Sequence, residues 1–138
     1  MKIIWSKWLP IILWCFIIFY FTESPLATGD NTARIIAQNT RMAYSGVEIV
    51  NTLVRKNAHF MVFGILALLF YRAINPSRHK YMLAWVFTTL YALSDEWHQA
   101  FVPGRSASIR DVILDSAGAL MFLAIHYFRK QTAKTSDG

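Results

Sequence analysis

Four apolar stretches, residues 3–22, about 58–74, about 81–101 and 109–128, take up more than half of a 138-residue chain. Each approaches the roughly 20 residues that an α-helix needs to cross the hydrocarbon core of a bilayer. Backbone polar groups in hydrocarbon must be satisfied within the chain, and a helix does this without help from neighbours. The prediction is an all-α integral membrane protein with four transmembrane helices, forming one domain over residues 1–138. Composition points the same way, because 55% hydrophobic and only 16% charged residues are too apolar for an ordinary soluble domain.

The first run, IIWSKWLPIILWCFIIFYF, follows Lys2 and contains Lys7, so it has the flanks of a secretory signal. It is longer than a signal h-region, is rich in Trp and Phe, and precedes TESPLATG, a poor cleavage site. It therefore reads as a retained span with Trp5, Trp8 and Tyr20 as interfacial anchors. The formal charge of +6 does not point to nucleic acid, because the basic residues alternate with apolar runs and form no polar, aromatic-studded stripe. Cys15 is the only cysteine, which rules out an intramolecular disulfide and a cysteine metal cluster.

Orientation follows from where the cations fall, since short cytoplasmic loops retain excess Lys and Arg. With the N-terminus inside, that side collects Lys2, Lys7, Arg72, Arg78, Lys80, Arg129, Lys130 and Lys134, against Asp137. The other side has Arg34, Arg41, Arg55, Lys56, Arg105 and Arg110 nearly balanced by Glu23, Asp30, Glu48, Asp95, Glu96, Asp111 and Asp115. The chain is thus expected to be a multi-pass protein of the cell membrane with both termini cytoplasmic. Residues 31–55 are too polar to cross, yet Ile36, Ala43, Val47, Val50 and Val54 recur at helical spacing opposite Arg34, Gln38, Arg41, Ser45, Glu48, Thr52 and Arg55. They read as an amphipathic helix, either lying in the outer interface or packed on the bundle in water, with Gly46 a weak point. The tail QTAKTSDG, residues 131–138, reads as disordered.

Under this topology the outer ends of three helices share the unusual polar residues. Lys56 and His59 begin the second span, Asp95, Glu96, His98 and Gln99 close the third, and Asp111 and Asp115 open the fourth. Helical spacing puts Lys56 with His59, Asp95 with Gln99, and Asp111 with Asp115 on shared faces. Charges so close to hydrocarbon are costly unless they pair or line a wet cavity, which predicts one outward-facing polar pocket. Each residue also has a purely structural role open to it. Asp111 follows Ser108 by three, so SIRD reads as a capping box as well as a site; Lys56 reads as a snorkelling residue, and His59 as a packed histidine. Asp115 sits a full turn deeper, where no cap is needed. The turn PGR, residues 103–105, presents Arg105, whose planar fork suits a carboxylate or phosphate, with Asp95 or Asp111 as the intramolecular alternatives. EWHQ is not the H-E-x-x-H zinc motif and no ligand spacing is diagnostic, so neither metal nor cofactor is expected. His79 and His126 fall on the cytoplasmic side.

RKNAHF (55–60), SDEWHQAFVPGRSASIRD (94–111) and VILDSAG (112–118) resemble the VanZ-like family of small bacterial membrane proteins, in order and in spacing. The combination of DE-x-x-Q, PGR and D-x-x-x-[ND] is far more specific than any one piece. The resemblance implies a link to low-level teicoplanin resistance in Gram-positive bacteria, and it singles out Arg55, Lys56, His59, Asp95, Glu96, Gln99, Pro103, Gly104, Arg105, Asp111 and Asp115. Two departures stand out: Val62 occupies a position that is acidic in many members, and Asp115 one that is often asparagine.

The expected function is that of a cell-envelope protein binding, with or without modifying, an anionic membrane lipid or a lipid-linked, cell-wall-related ligand. Arg55, Lys56, Gln99, Arg105 and Asp111 are the candidate binding residues, and His59, Asp95, Glu96 and Asp115 the candidate acids and bases. No nucleophile motif accompanies them, so catalysis stays open beside binding. The competing reading is a non-catalytic scaffold or interaction protein, and behind it a small transporter. Oligomeric state is not legible.

Overall fold

A computed structural model describes residues 2–23, 29–40, 43–102 and 107–136, and the regular structure among them is all helical. Five helices follow in order: α1 (Lys2–Glu23), α2 (Gly29–Asn39), α3 (Tyr44–Ile74), α4 (Lys80–Gln99) and α5 (Ile109–Ser136). Each apolar run forms the body of one helix. By length and composition three helices are suited to cross a membrane: α1 over Trp5–Thr22, α3, and α5 over Ile109–Thr135. α4 is 20 residues long, but its closing SDEWHQ dilutes its apolar character and it does not join them. The four crossings expected from the sequence are therefore three by this measure, because the fourth run carries the polar cluster.

The burial pattern is that of a chain surrounded by hydrocarbon. Phe16 is 67% exposed, Ile113 63% and Phe128 66%, whereas Asp95, Glu96, Gln99 and Asp115 are buried. Large apolar side chains spread over an outer surface are unfavourable in water and natural in lipid.

α3 touches every other helix and organises the bundle. Its partner along most of its length is α5, which runs parallel to it: Asp111, Asp115, Gly118 and Phe122 meet Lys56, His59, Phe60 and Gly64 in the same order. Small residues permit the close approach. A methyl group built on Gly118 would run into the Phe60 carbonyl, and one on Gly64 would run into the Phe122 ring. α4 returns between them and is pinned to α5 by Trp85 Nε1–H donating to Ser116 Oγ at 3.0 Å and by the Thr89–Ser116 hydroxyl pair at 2.9 Å. α1 packs antiparallel on α3, with Trp14 Nε1–H donating to the Val62 carbonyl at 3.0 Å. The Tyr91 hydroxyl donates to the Cys15 carbonyl at 2.7 Å and ties α1 to α4.

Two expectations need correction. Residues 31–55 are not one interfacial helix, since α2 ends at Asn39 and residues from Tyr44 onward are the first turns of α3. Ala43 adopts an extended conformation (φ −62, ψ 152), and the Gly46 and Val47 N–H groups bond to its carbonyl to start the helix. Ala43 thus sits in the break, not on an apolar stripe, and Gly46 lies within the first turn of α3 without interrupting it. The second correction is at the C-terminus, where residues 131–136, read as disordered, continue α5 as far as Ser136. Thr132 and Thr135 there donate to the carbonyls of Phe128 and Gln131, which keeps their hydroxyls within the helix's own bonding pattern.

Candidate functional site

One end of the bundle gathers the polar residues of three helices, and the register of α3 on α5 decides which of them meet. Lys56 Nζ lies 2.9 Å from Asp111 Oδ1, with side chains 46% and 31% exposed. One turn further in, His59 Nδ1 lies 3.6 Å from Asp115 Oδ2. Asp115 is only 1% exposed, and among the described residues neither of its carboxylate oxygens accepts a hydrogen bond. Such a carboxylate is unfavourable in a packed interior. His59 is the group placed to offset it, and its ring also lies 6.1 Å from that of Phe63 in a stacked arrangement.

Asp111 reads two ways in the sequence, and the structure separates them. Ser108 stands just ahead of α5, and its Oγ accepts the Arg110 N–H at 3.3 Å, so the serine caps the helix. In a capping box the carboxylate three residues on would accept the serine's own N–H. Here the Ser108 N–H donates to Glu96 Oε2 at 2.7 Å instead. Glu96, from the end of α4, thus takes over the reciprocal half of the cap. Asp111 is left to pair with Lys56 across the groove between α5 and α3.

Asp95 and Gln99 share the inner face of α4, and Gln99 Nε2–H donates to Asp95 Oδ2 at 2.8 Å. The other oxygen, Oδ1, is 3.1 Å from Thr22 Oγ1 at the end of α1. Trp97, on the opposite face, is 72% exposed and lies against Phe101. The His98 ring lies tilted against that of Phe19, centroids 4.6 Å apart. The cluster is therefore closed on three sides, with α1 bonded to α4, α4 to the start of α5, and α5 to α3.

Beside it, α1, α2 and α3 enclose a cavity of about 440 Å³. Trp14, Ile17, Ile18, Phe21, Val54, Ala58, Val62 and Phe63 make its walls apolar, and Thr22, Thr32, Arg55 and His59 supply its polar groups. α2 is held over it by Thr32 Oγ1–H donating to Oδ1 of Asn51, a buried residue of α3. His59 is the hinge between the two features, since it lines the cavity on one side and faces Asp115 on the other. Arg55 and His59 belong to the lining of this cavity, and Asp95, Glu96, Gln99, Lys56, Asp111 and Asp115 do not. Arg105 lies outside the described residues, as do Pro103, Gly104 and Ser106. Among the described residues no three His, Cys, Asp or Glu side chains converge as metal ligands do.

A family profile for VanZ/LLP1 proteins matches residues 7–130. The chain belongs to the VanZ/LLP1 family. No curated protein and no solved structure matches it. The match takes in α3, α4 and most of α5, so the segments RKNAHF, SDEWHQ and VILDSAG of this VanZ/LLP1 protein are the ones that α3, α4 and α5 bring to one end of the bundle. Ser108 reads from the sequence as a cap through its place three before Asp111, whereas Thr22, Thr32 and Asn51 are not singled out: they are short polar residues whose partners are set only by how the helices dock.

Proposed function

We propose that this VanZ/LLP1 protein is a multi-pass protein of the cell membrane that binds an anionic lipid-linked or cell-wall-related ligand at the polar end of its bundle. The observation that carries the reading is the cavity between α1, α2 and α3, whose long apolar wall ends at Arg55 and His59. On α1 the apolar wall runs roughly 10 Å from Trp14 to Phe21, which suits a hydrocarbon chain, and a cation at its mouth suits the anionic group attached to that chain. Lys56, beside Arg55, extends the positive charge at the same end, and Arg105, between α4 and α5 in the sequence, is the further cation that the sequence reading assigns to the ligand. In this reading α4 is the fourth crossing, tolerated because its polar turn is bonded to α1 and α5, and the cation-rich end that includes Arg72 and Arg129 faces the cytoplasm.

His59 is the group best placed for any proton transfer, because among the described residues it alone both lines the cavity and faces Asp115. The resemblance to VanZ-like proteins supports testing the role through glycopeptide susceptibility. The test is a deletion strain complemented with His59→Gln, Asp95→Asn or Arg105→Lys at matched membrane levels, read by teicoplanin susceptibility, beside binding of candidate envelope lipids to the purified protein. Loss of binding in His59→Gln and Arg105→Lys, with the fold intact, is expected. Wild-type susceptibility and binding in all three variants would leave the non-catalytic scaffold as the better reading.

A further inference from the structure

At the opposite end of the α3/α5 pair lies a second cavity, of about 450 Å³, lined by Leu68, Phe122, Ile125, His126, Arg129 and Lys130. Its chemistry changes along its length. Phe122, Ile125 and Arg129 form one stripe of α5, and Phe122, His126 and Lys130 the neighbouring one, so both stripes begin apolar and end in a cation. On α3 the wall is Leu68, and Arg72 follows one turn later on the same face. The parallel register that sets Gly64 against Phe122 brings Arg72 to the level of Arg129.

Among the described residues none of these cations pairs with a carboxylate. The ion pairs among the described residues are Lys56–Asp111 and His59–Asp115, both at the other end. Lys7 and Lys80 at this end are engaged by the α3–α4 loop, donating to the carbonyl and side-chain oxygens of Asn75, whereas Arg129 and Lys130 are exposed and meet no carboxylate among the described residues. His126 is held from behind by Tyr71, ring centroids 4.7 Å apart.

We infer that this groove is a binding site for one anionic phospholipid of the surrounding bilayer. An acyl chain lies along Leu68, Phe122 and Ile125, and the headgroup phosphate is bound by Arg129 and Lys130 with Arg72 across the groove. Cations at the end of an apolar inter-helix groove fit this occupant by charge and by polarity. The site stands apart from the cavity at the other end and does not depend on the role proposed for it.

The experiment is native mass spectrometry of the delipidated full-length protein titrated with phosphatidylglycerol or phosphatidylcholine of identical chains. Phosphatidylglycerol should bind preferentially as a single tight equivalent. Removing each charge, in Arg129→Gln and Lys130→Gln, should weaken it about fivefold, and both together about 25-fold. Ile125→Asn should weaken both lipids. Lys134→Gln, an exposed cation beyond the groove, should change nothing, and excess inorganic phosphate should not displace the lipid. Helical content by circular dichroism checks that the variants fold. Equal binding of the two lipids, equal sensitivity to Lys134→Gln and Arg129→Gln, or full competition by inorganic phosphate would each overturn the assignment.

Discussion

His59 Nδ1 lies 3.6 Å from Asp115 Oδ2, and this contact joins α3 to α5 one turn inside the bridge between Lys56 and Asp111. The outer pair is half in solvent and the inner carboxylate is sealed, so the two should respond differently to substitution. Truncating His59 to alanine strands a buried charge, a loss of about 3–5 kcal/mol in comparable cases. Asp115→Asn removes the charge at constant size and should stay within about 1 kcal/mol of wild type. The double variant should recover part of the His59→Ala loss, measured by denaturation in detergent micelles. An identical loss for His59→Ala, whether made alone or on top of Asp115→Asn, would show that the two side chains do not communicate.

Lys56→Ala and Asp111→Ala remove a partly exposed ion pair, and each should change stability by about 1 kcal/mol or less. Any large effect of Lys56→Ala on ligand binding at unchanged stability would then belong to binding. A loss of several kcal/mol would contradict the open, solvated geometry described for the pair.

Glu96 accepts the Ser108 N–H from a different helix, so its removal should behave as the loss of a helix cap. Glu96→Ala is expected to cost about 1 kcal/mol, whereas Glu96→Gln keeps an acceptor and should cost less. Amide exchange of Ser108, followed by hydrogen–deuterium mass spectrometry, should speed up in the alanine variant alone. Unchanged exchange would remove Glu96 from the cap.

The long apolar helices were legible because a run of some twenty apolar residues has few alternatives in water or lipid. Shared faces within one helix were legible as well: Lys56 with His59 and Asp111 with Asp115 follow from a period of 3.6 residues. Partnership between helices was not. The Lys56–Asp111 pairing depends on the parallel register of α3 and α5, which is set by where Gly64 and Gly118 let the backbones approach. The break at Ala43 was obscured because the polar stripe continues through it, and Asn51, on the nominally polar side, is buried under α2. The apolar cavity was out of reach for the same reason, since it is a product of how α1 and α2 dock on α3.

The two glycines make a graded prediction. Gly118→Ala drives a methyl group toward backbone, the Phe60 carbonyl, which has no room to yield, whereas Gly64→Ala meets the Phe122 side chain, which can change rotamer. Overpacking of this kind costs about 1–3 kcal/mol, and Gly118→Ala should sit at the top of that range with Gly64→Ala below it. Thermal unfolding in detergent gives the order, and a reversed order would contradict the helix contact.

Orientation can be tested with single cysteines. In a Cys15→Ala background, where the Tyr91 hydrogen bond to the backbone carbonyl is retained, an impermeant thiol reagent applied to intact cells should label Ser106→Cys and spare Ser77→Cys. The opposite pattern would place the His59 end of the bundle inside the cell.

α3 is a single helix of 31 residues, about 46 Å long, against a hydrocarbon thickness of about 30 Å. It outlasts the hydrocarbon by about 15 Å, and Arg55 and Lys56 mark the place where the excess begins when the helix is counted back from Ile74. In the membrane placement proposed above, the turns from Tyr44 to Val54 stand among headgroups as a stiff mast, with α2 fastened to it through Thr32 and Asn51. In that placement a thicker or thinner bilayer tilts α3 as one unbroken rod and carries with it α2, the helix held over the cavity.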